Sequence, residues 1–217
     1  GIKKFIYSLY ETSLLNKIEK NDLPKHIGLI HDGHRRYARE KGLLSYEVSY
    51  RIGINTFKEC LSWCSNLNIN HITSWLLSKE NLNRPKEELG PYYKVLEELF
   101  KDFTTSDTFD DYKIRFVGSK ELLPESMIDL ISKVESIRSI GGKELTIALG
   151  YGGRQEILDA VKSLLEEKYP SSKNSKELVE KITDEEIRKH LYSPNSPDLD
   201  LVIRTSGEAR LSGFLLW

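Results

Sequence analysis

The chain has 217 residues, 39% of them hydrophobic and 30% charged, with a formal net charge of −1. That size suits one globular domain with a full core, and the near-neutral balance lacks the overall basic footprint of a nucleic-acid binder, so no nucleic-acid partner is expected. Two cysteines, Cys60 and Cys64, build neither a disulfide framework nor a four-ligand zinc site by themselves; with no membrane-length apolar stretch and no signal-peptide pattern, the expectation is a cytoplasmic protein with reduced thiols.

In chain order, apolar residues at helical spacing over 2–19 (Ile2, Phe5, Ile6, Leu9, Tyr10, Leu14) predict an amphipathic helix that covers the core, the commonest outcome, or else touches a partner or lies on a membrane surface, and Pro24 separates it from the first strand. The run 27–30 is the length of one buried strand. It enters a turn at His31-Asp32-Gly33, and Arg35 to Arg39 read as the start of a helix. A loop over 42–49, a helix over 50–67 and a strand over 71–77 follow. The polar stretch 78–85 precedes a helix over 86–102, whose broad apolar face carries Leu89, Tyr92, Tyr93, Leu96, Leu99 and Phe100. A polar, mobile loop is predicted for 104–111 and a strand for 112–117. Pro124 opens a helix through Arg138, broken by Gly141-Gly142. A strand over 144–149 leads through Gly150-Tyr151-Gly152-Gly153-Arg154 to a helix ending at Lys168. Short helices fill 176–192, with a capped start at Thr183, and a last strand covers 199–203.

Strands alternating with helices predict an α/β fold with a mainly parallel sheet. Ligands in such sheets collect at the carboxyl ends of the strands. Four strands end in polar or glycine-rich signals: Asp32-Gly33, Ser78 to Arg84, Gly150 to Arg154, and Arg204 to Arg210. They converge on one rim. There, a helix N-terminus and Gly33 can approach an anion, Asp32 can hold a hard cation such as magnesium, and Arg35 and Arg36 can fork onto phosphate oxygens. Blander readings stand beside these. Glu80 and Asn81 either orient a ligand or cap the next helix, and Arg204, Glu208 and Arg210 also suit a surface ion-pair cluster. No Walker loop, dinucleotide fingerprint or nucleophile elbow is present. Anionic site plus aromatic helix faces point to a ligand with a charged head and an apolar tail.

The motifs Asp32-Gly33-x-Arg35-Arg36-Tyr37-Ala38, Ser78-x-Glu80-Asn81-x-x-Arg84-Pro85, Tyr151-Gly152-Gly153-Arg154 and Asp200 to Trp217, with Arg204, Glu208, Arg210, Ser212 and Phe214, resemble those of the cis-prenyltransferases, the undecaprenyl diphosphate synthase family. The resemblance covers nearly the whole chain after the first helix, with the motifs in family order. It implies one catalytic domain over 1–217, with an N-terminal helix over 1–20. The implied fold is a sheet of about six strands flanked by helices, with a hydrophobic tunnel lined by helices 50–67 and 86–102. The implied reaction joins isopentenyl diphosphate to an allylic prenyl diphosphate, with magnesium assisting departure of the allylic diphosphate, to give a Z-polyprenyl diphosphate that precedes a glycosyl carrier lipid. By the same resemblance Asp32 is the catalytic, metal-associated carboxylate. Gly33, His34, Arg35, Arg36 and Tyr50 lie on the allylic side, and Arg204, Arg210 and Ser212 on the isopentenyl side. Ser78, Glu80, Asn81 and Arg84 belong to a catalytic loop, in which Asn81 is counted as catalytic. A homodimer and peripheral membrane contact for product release are also implied.

The chain departs from the family pattern on the allylic side. His31 and His34 stand where methionine and asparagine are usual, and Ser49-Tyr50 where Gly-His is usual. Leu82 replaces a loop tryptophan and Gly150 an asparagine, and the pattern's magnesium-binding glutamate lies beyond Trp217. These departures keep two further readings open: an irregular or short-chain prenyl diphosphate synthase, and a non-catalytic isoprenoid-binding subunit.

Overall fold

The computed structural model describes residues 2–18 and 23–217, with side chains from residue 6 onward. Five parallel strands form one sheet among the described residues, in the order β3-β4-β2-β1-β5. They are β1 (His26–Ile30), β2 (His71–Ser78), β3 (Tyr112–Val117), β4 (Lys143–Tyr151) and β5 (Leu201–Arg204). About six were expected. The α/β architecture holds, and because every pair is parallel, all carboxyl ends lie on one rim.

The crossovers are helical, as parallel pairing requires. Helices α1 (Ile2–Lys17), α2 (His34–Glu40), α3 (Tyr46–Asn66), α4 (Lys86–Thr105) and α5 (Glu125–Ile137) precede β4, and α6 (Gly153–Lys168), α7 (Ser175–Glu180) and α8 (Asp184–His190) precede β5. Period-two alternation divides the strand side chains between two faces. Ile27, Leu29, Ile114, Phe116, Leu145 and Ile147 pack in one core with Phe57, Leu96, Phe100 and Ile131 of α3, α4 and α5. Ile30, Trp75, Val117 and Ala148 pack on the other face with Tyr151 and Phe214. Phe214 stacks on Trp75 at 5.2 Å between ring centroids, so the last chain segment closes that face. Burial on both faces explains why these strands read as continuous apolar runs.

Several boundaries differ from expectation. Helix α3 begins at Tyr46 rather than at residue 50, because Ser45 is extended and Glu47, in the first turn, bonds Arg51 one turn on at 2.8 Å. Helix α4 runs to Thr105, and 106–111 is anchored rather than mobile: Phe109 is buried and the Arg138 guanidinium bonds Ser106 and Asp110. Strand β4 continues through Gly150, whose φ of 57° lets it bend without a Cβ penalty. Strand β5 runs two residues later at its start and one later at its end than expected. Helix α1 does not cover the core: Ile6, Leu9, Tyr10 and Leu14 are exposed. The side chains of Ile2 and Phe5, and all of Glu19, lie outside the described residues.

Candidate active site

At the rim, β1 ends in Asp32 and Gly33. Gly33 has a φ of 90°, a turn that an L side chain strains to make, and α2 starts immediately after it. Thr205 ties this turn to the end of β5. Its hydroxyl accepts from the Asp32 amide at 3.0 Å and donates to the Asp32 carbonyl at 2.7 Å.

Arg204 organises the side chains. Its guanidinium donates to Asp32 Oδ2 at 2.6 and 3.1 Å, to the Arg210 carbonyl at 2.7 Å and to the Ser212 hydroxyl at 2.8 Å. Burial alone would raise the Asp32 pKa, but hydrogen bonds from Arg204, Ser206 and the Gly33 amide outweigh it and hold the carboxyl below its ordinary value. Asp32 is therefore ionised at neutral pH.

Three cavities meet here. The first, about 310 Å³, is lined by Asp32, Gly33, His34, Arg35, Arg36, Tyr50, Asn81, Arg84 and Arg210 among the expected residues, and also by Arg39 and Glu208. Arg35 is held by Glu88 at 2.8 Å, and the Arg36 guanidinium by the Ser206 carbonyl. The second, about 270 Å³, takes Ser78, Glu80 and Ser212 together with Lys79, Tyr151, Arg154 and Gln155. The expected residues are thus split between two polar cavities. Arg204 links them, bonding Asp32 of the first and Ser212 of the second. The Asn81 amide repeats the link on the other side, donating to the Ser78 hydroxyl at 3.0 Å.

The third is an apolar groove of about 420 Å³ between α2, α3 and the β1–β5 edge, lined by Tyr37, Ile52, Gly53, Phe57, Trp63 and Ile203 among others. Helix α3 contributes to it as expected, but α4 does not: Leu89, Leu96, Leu99 and Phe100 are packed in the core instead. Of α4's aromatic face, Tyr92 reaches the rim, where it lines the first polar cavity. Periodicity marks a buried face without saying what fills the space opposite it.

Arg39, Lys79 and Arg154 were not singled out from the sequence. Arg39 lay within the basic run and Arg154 within a glycine motif, while Lys79 carried no signal beyond its loop. A larger cavity of about 1020 Å³ lies at the amino ends of the strands, against Leu15, Ile18, Asn66 and His71, the opposite end from where such sheets bind ligands. Glu167, Glu186 and His190 offer atoms at metal-ligand spacing. This group belongs to α8 and the last turn of α6, roughly 20 Å along α6 from its rim end, and Lys168 already meets both glutamates at 2.8 and 2.7 Å.

Comparison with known proteins places this geometry. The family model described as putative undecaprenyl diphosphate synthase matches residues 30–217. An isoprenyl transferase of Thermus thermophilus is 41% identical, over 100% of this chain and 83% of its own length. A (2Z,6E)-farnesyl diphosphate synthase of Mycobacterium tuberculosis is 39% identical, over 100% and 83%. The crystal structure of lavandulyl diphosphate synthase from Lavandula x intermedia, in complex with dimethylallyl diphosphate, superposes with a TM-score of 0.80 at 31% identity, covering 89% of this chain and 82% of that one.

Proposed function

Because the chain belongs to the undecaprenyl diphosphate synthase family and is a prenyl-group transferase, we propose that it joins isopentenyl diphosphate to an allylic prenyl diphosphate across the two polar cavities. The observation that carries this reading is Arg204, whose one guanidinium is bonded to Asp32 in the first cavity and to Ser212 in the second. Two diphosphates side by side repel strongly, and a cation shared between their sites offsets that repulsion.

In this reading the Gly33 turn, Arg35, Arg36, Arg39 and Arg84 hold the allylic diphosphate. Arg204, Ser212, Ser78 and Arg154 hold the isopentenyl diphosphate, and Arg210, exposed on the wall of the first cavity, adds a further positive charge beside them. Glu80 and Asn81 set the loop between the cavities. The allylic carbon–oxygen bond breaks, the isopentenyl double bond attacks the freed carbon, and a proton then leaves to form the new double bond. Magnesium takes one or two carboxylates together with substrate phosphates. Asp32, ionised and accompanied by Glu208 in the same cavity, fits that donor set. When bound, the ion would neutralise the departing diphosphate.

The test is turnover of labelled isopentenyl diphosphate with allylic diphosphates of graded length and magnesium, products being sized by chromatography. Condensation products, lost on Asp32→Ala with the thermal midpoint kept, are the expected result. Binding of both diphosphates without any product would instead indicate a non-catalytic subunit.

We also propose a homodimer formed through the β5 edge and final segment, where Leu201, Ile203, Leu216 and Trp217 are exposed; sedimentation velocity at micromolar concentration checks it. Among the described residues no helix is long and apolar enough to cross a membrane. In the proposed reading the protein works in the cytoplasm, and the exposed apolar side chains of α1 give it peripheral contact with the membrane that receives the product.

A further inference from the structure

His31, Asp32, Gly33 and His34 line both the arginine-rich cavity and the apolar groove, so the two spaces share one wall. Tyr50 lines only the first of these spaces and Gly53 only the second. The His34 imidazole lies against both. Its ring meets Tyr50 edge-on at 5.7 Å between centroids. On its other side it sits so close to the Gly53 backbone that a Cβ there would fall 2.1 Å from Cε1 and 2.8 Å from Nδ1.

The ring has little freedom to leave. Ser49 donates to the His34 carbonyl at 2.6 Å and fixes the first turn of α2 to α3. Tyr50 is backed by Tyr92 at 4.7 Å between rings, and the Tyr92 hydroxyl is tied to the Leu76 carbonyl at 2.5 Å. Along the same wall His31 is held by the Ser74 hydroxyl at 2.7 Å and by the edge of Phe57 at 5.0 Å.

We propose that His34 is the specificity-determining residue for the allylic chain: its ring partitions the diphosphate cavity from the apolar groove, so that a five-carbon allylic tail ends against it while a fifteen-carbon tail must displace it to enter the groove. The proposal rests on the reading that the arginine-rich cavity holds the allylic diphosphate. It makes the enzyme a short-chain synthase, with Gly53 as the seat that lets so large a ring stand there.

Binding and turnover separate this proposal from the reading beneath it. Dimethylallyl and farnesyl thiolodiphosphates, which carry the head group but do not react, are titrated by calorimetry into the wild type and into His34→Asn and His34→Ala, with thermal melts confirming folded protein. The smaller side chains should raise the farnesyl-to-dimethylallyl affinity ratio about tenfold or more, the scale of chain-length discrimination in an apolar pocket. Gly53→Ala should weaken both ligands in the wild type and matter at least about threefold less beside His34→Asn, since the clash it creates is with the imidazole. An unchanged affinity ratio in both His34 variants overturns the proposal, and so does an equal effect of Gly53→Ala in both backgrounds. In turnover with isopentenyl diphosphate, longer products from His34→Asn than from the wild type support it. If the affinity ratio shifts as expected while no variant condenses the substrates, the ligand partition stands and the transferase reading fails.

Discussion

The donors of Arg204 are spread over Asp32, Ser206, the Arg210 carbonyl and Ser212, so this side chain fixes the shape of the rim before any ligand arrives. Removing Asp32 leaves Arg204 its other partners, which is why the fold should survive. Asp32→Asn is expected to lower turnover about 10²–10³-fold, the scale of losing one preorganised electrostatic partner, with the thermal midpoint within a few degrees of wild type. The pH dependence of activity carries a second mark. Because the folded Asp32 carboxyl is held below its ordinary value of 3.8, its ionised form persists through pH 5, and the acid limb of activity from this group should have its midpoint below that ordinary value. His31 works in the opposite sense. Burial, aided by nearby His34, holds it down to about 3, so below pH 6.5 the unfolded chain takes up a proton that the folded chain refuses. Stability from this group is full above pH 6.5 and declines as pH falls toward 3, by at most about 1.4 kcal/mol per pH unit. Urea denaturation between pH 7 and 4 should show a shallower decline for His31→Met than for the wild type. An identical decline would mean that His31 titrates normally.

At the scale of elements, the strands were readable because a sheet covered on both faces writes itself as apolar runs, and residues 27–30 and 112–117 were found almost to the residue. Helix ends were less readable, because long-range side-chain contacts set them. Glu47 bonds Lys94 and Arg51, and Arg51 reaches Glu98 on α4, which carries the start of α3 four residues earlier than local pattern implied. Arg138 closes α5 as expected, and what local pattern does not show is its reach: its buried guanidinium donates to the Phe103 and Ser106 carbonyls at 2.7 Å each and to Asp110 at 2.5 Å, while its own carbonyl accepts from Ile114. It thus ties the end of α4 to the start of β3, at the amino end of the sheet and away from the rim. Arg138→Met should strand those buried carbonyls and cost about 2–4 kcal/mol, read as a lower urea midpoint, while kcat/KM per folded molecule stays near wild type. A fall in kcat/KM with stability unchanged would show that this end of the sheet is coupled to the chemistry.

For the whole molecule, parallel topology turned separate sequence motifs into one site. Residues 32–36, 78–84, 151–154 and 204–212 meet because β1, β2, β4 and β5 all point the same way. Alternation of strands and helices made that convergence legible. What it did not reveal was the division into two polar cavities joined through Arg204, nor that the apolar space lies beside α2 and α3 instead of between α3 and α4. Those features depend on which side chains fill the gaps, and periodicity is silent there. The convergence has an electrostatic consequence. Arg35, Arg36, Arg39, Arg84 and Arg210 line one cavity with Asp32 and Glu208 as the acids of its lining, and although Glu88 pairs with Arg35 and Arg84 and Glu40 with Arg36 from outside it, the arginines still outnumber these acids, so the remaining repulsion is relieved when a polyanion enters. Inorganic diphosphate should therefore stabilise the folded chain. At a hundred times its dissociation constant the gain is about 2.7 kcal/mol, which for a domain of this size raises the thermal midpoint by roughly 5–10 °C. The shift should shrink in 1 M sodium chloride, where screening acts within about 3 Å, and should fall by at least half in the double variant Arg36→Ala/Arg84→Ala at the same ligand concentration. A shift of equal size in that variant would place the diphosphate outside the arginine-rich cavity and would remove the electrostatic basis for bringing two diphosphates together at this rim.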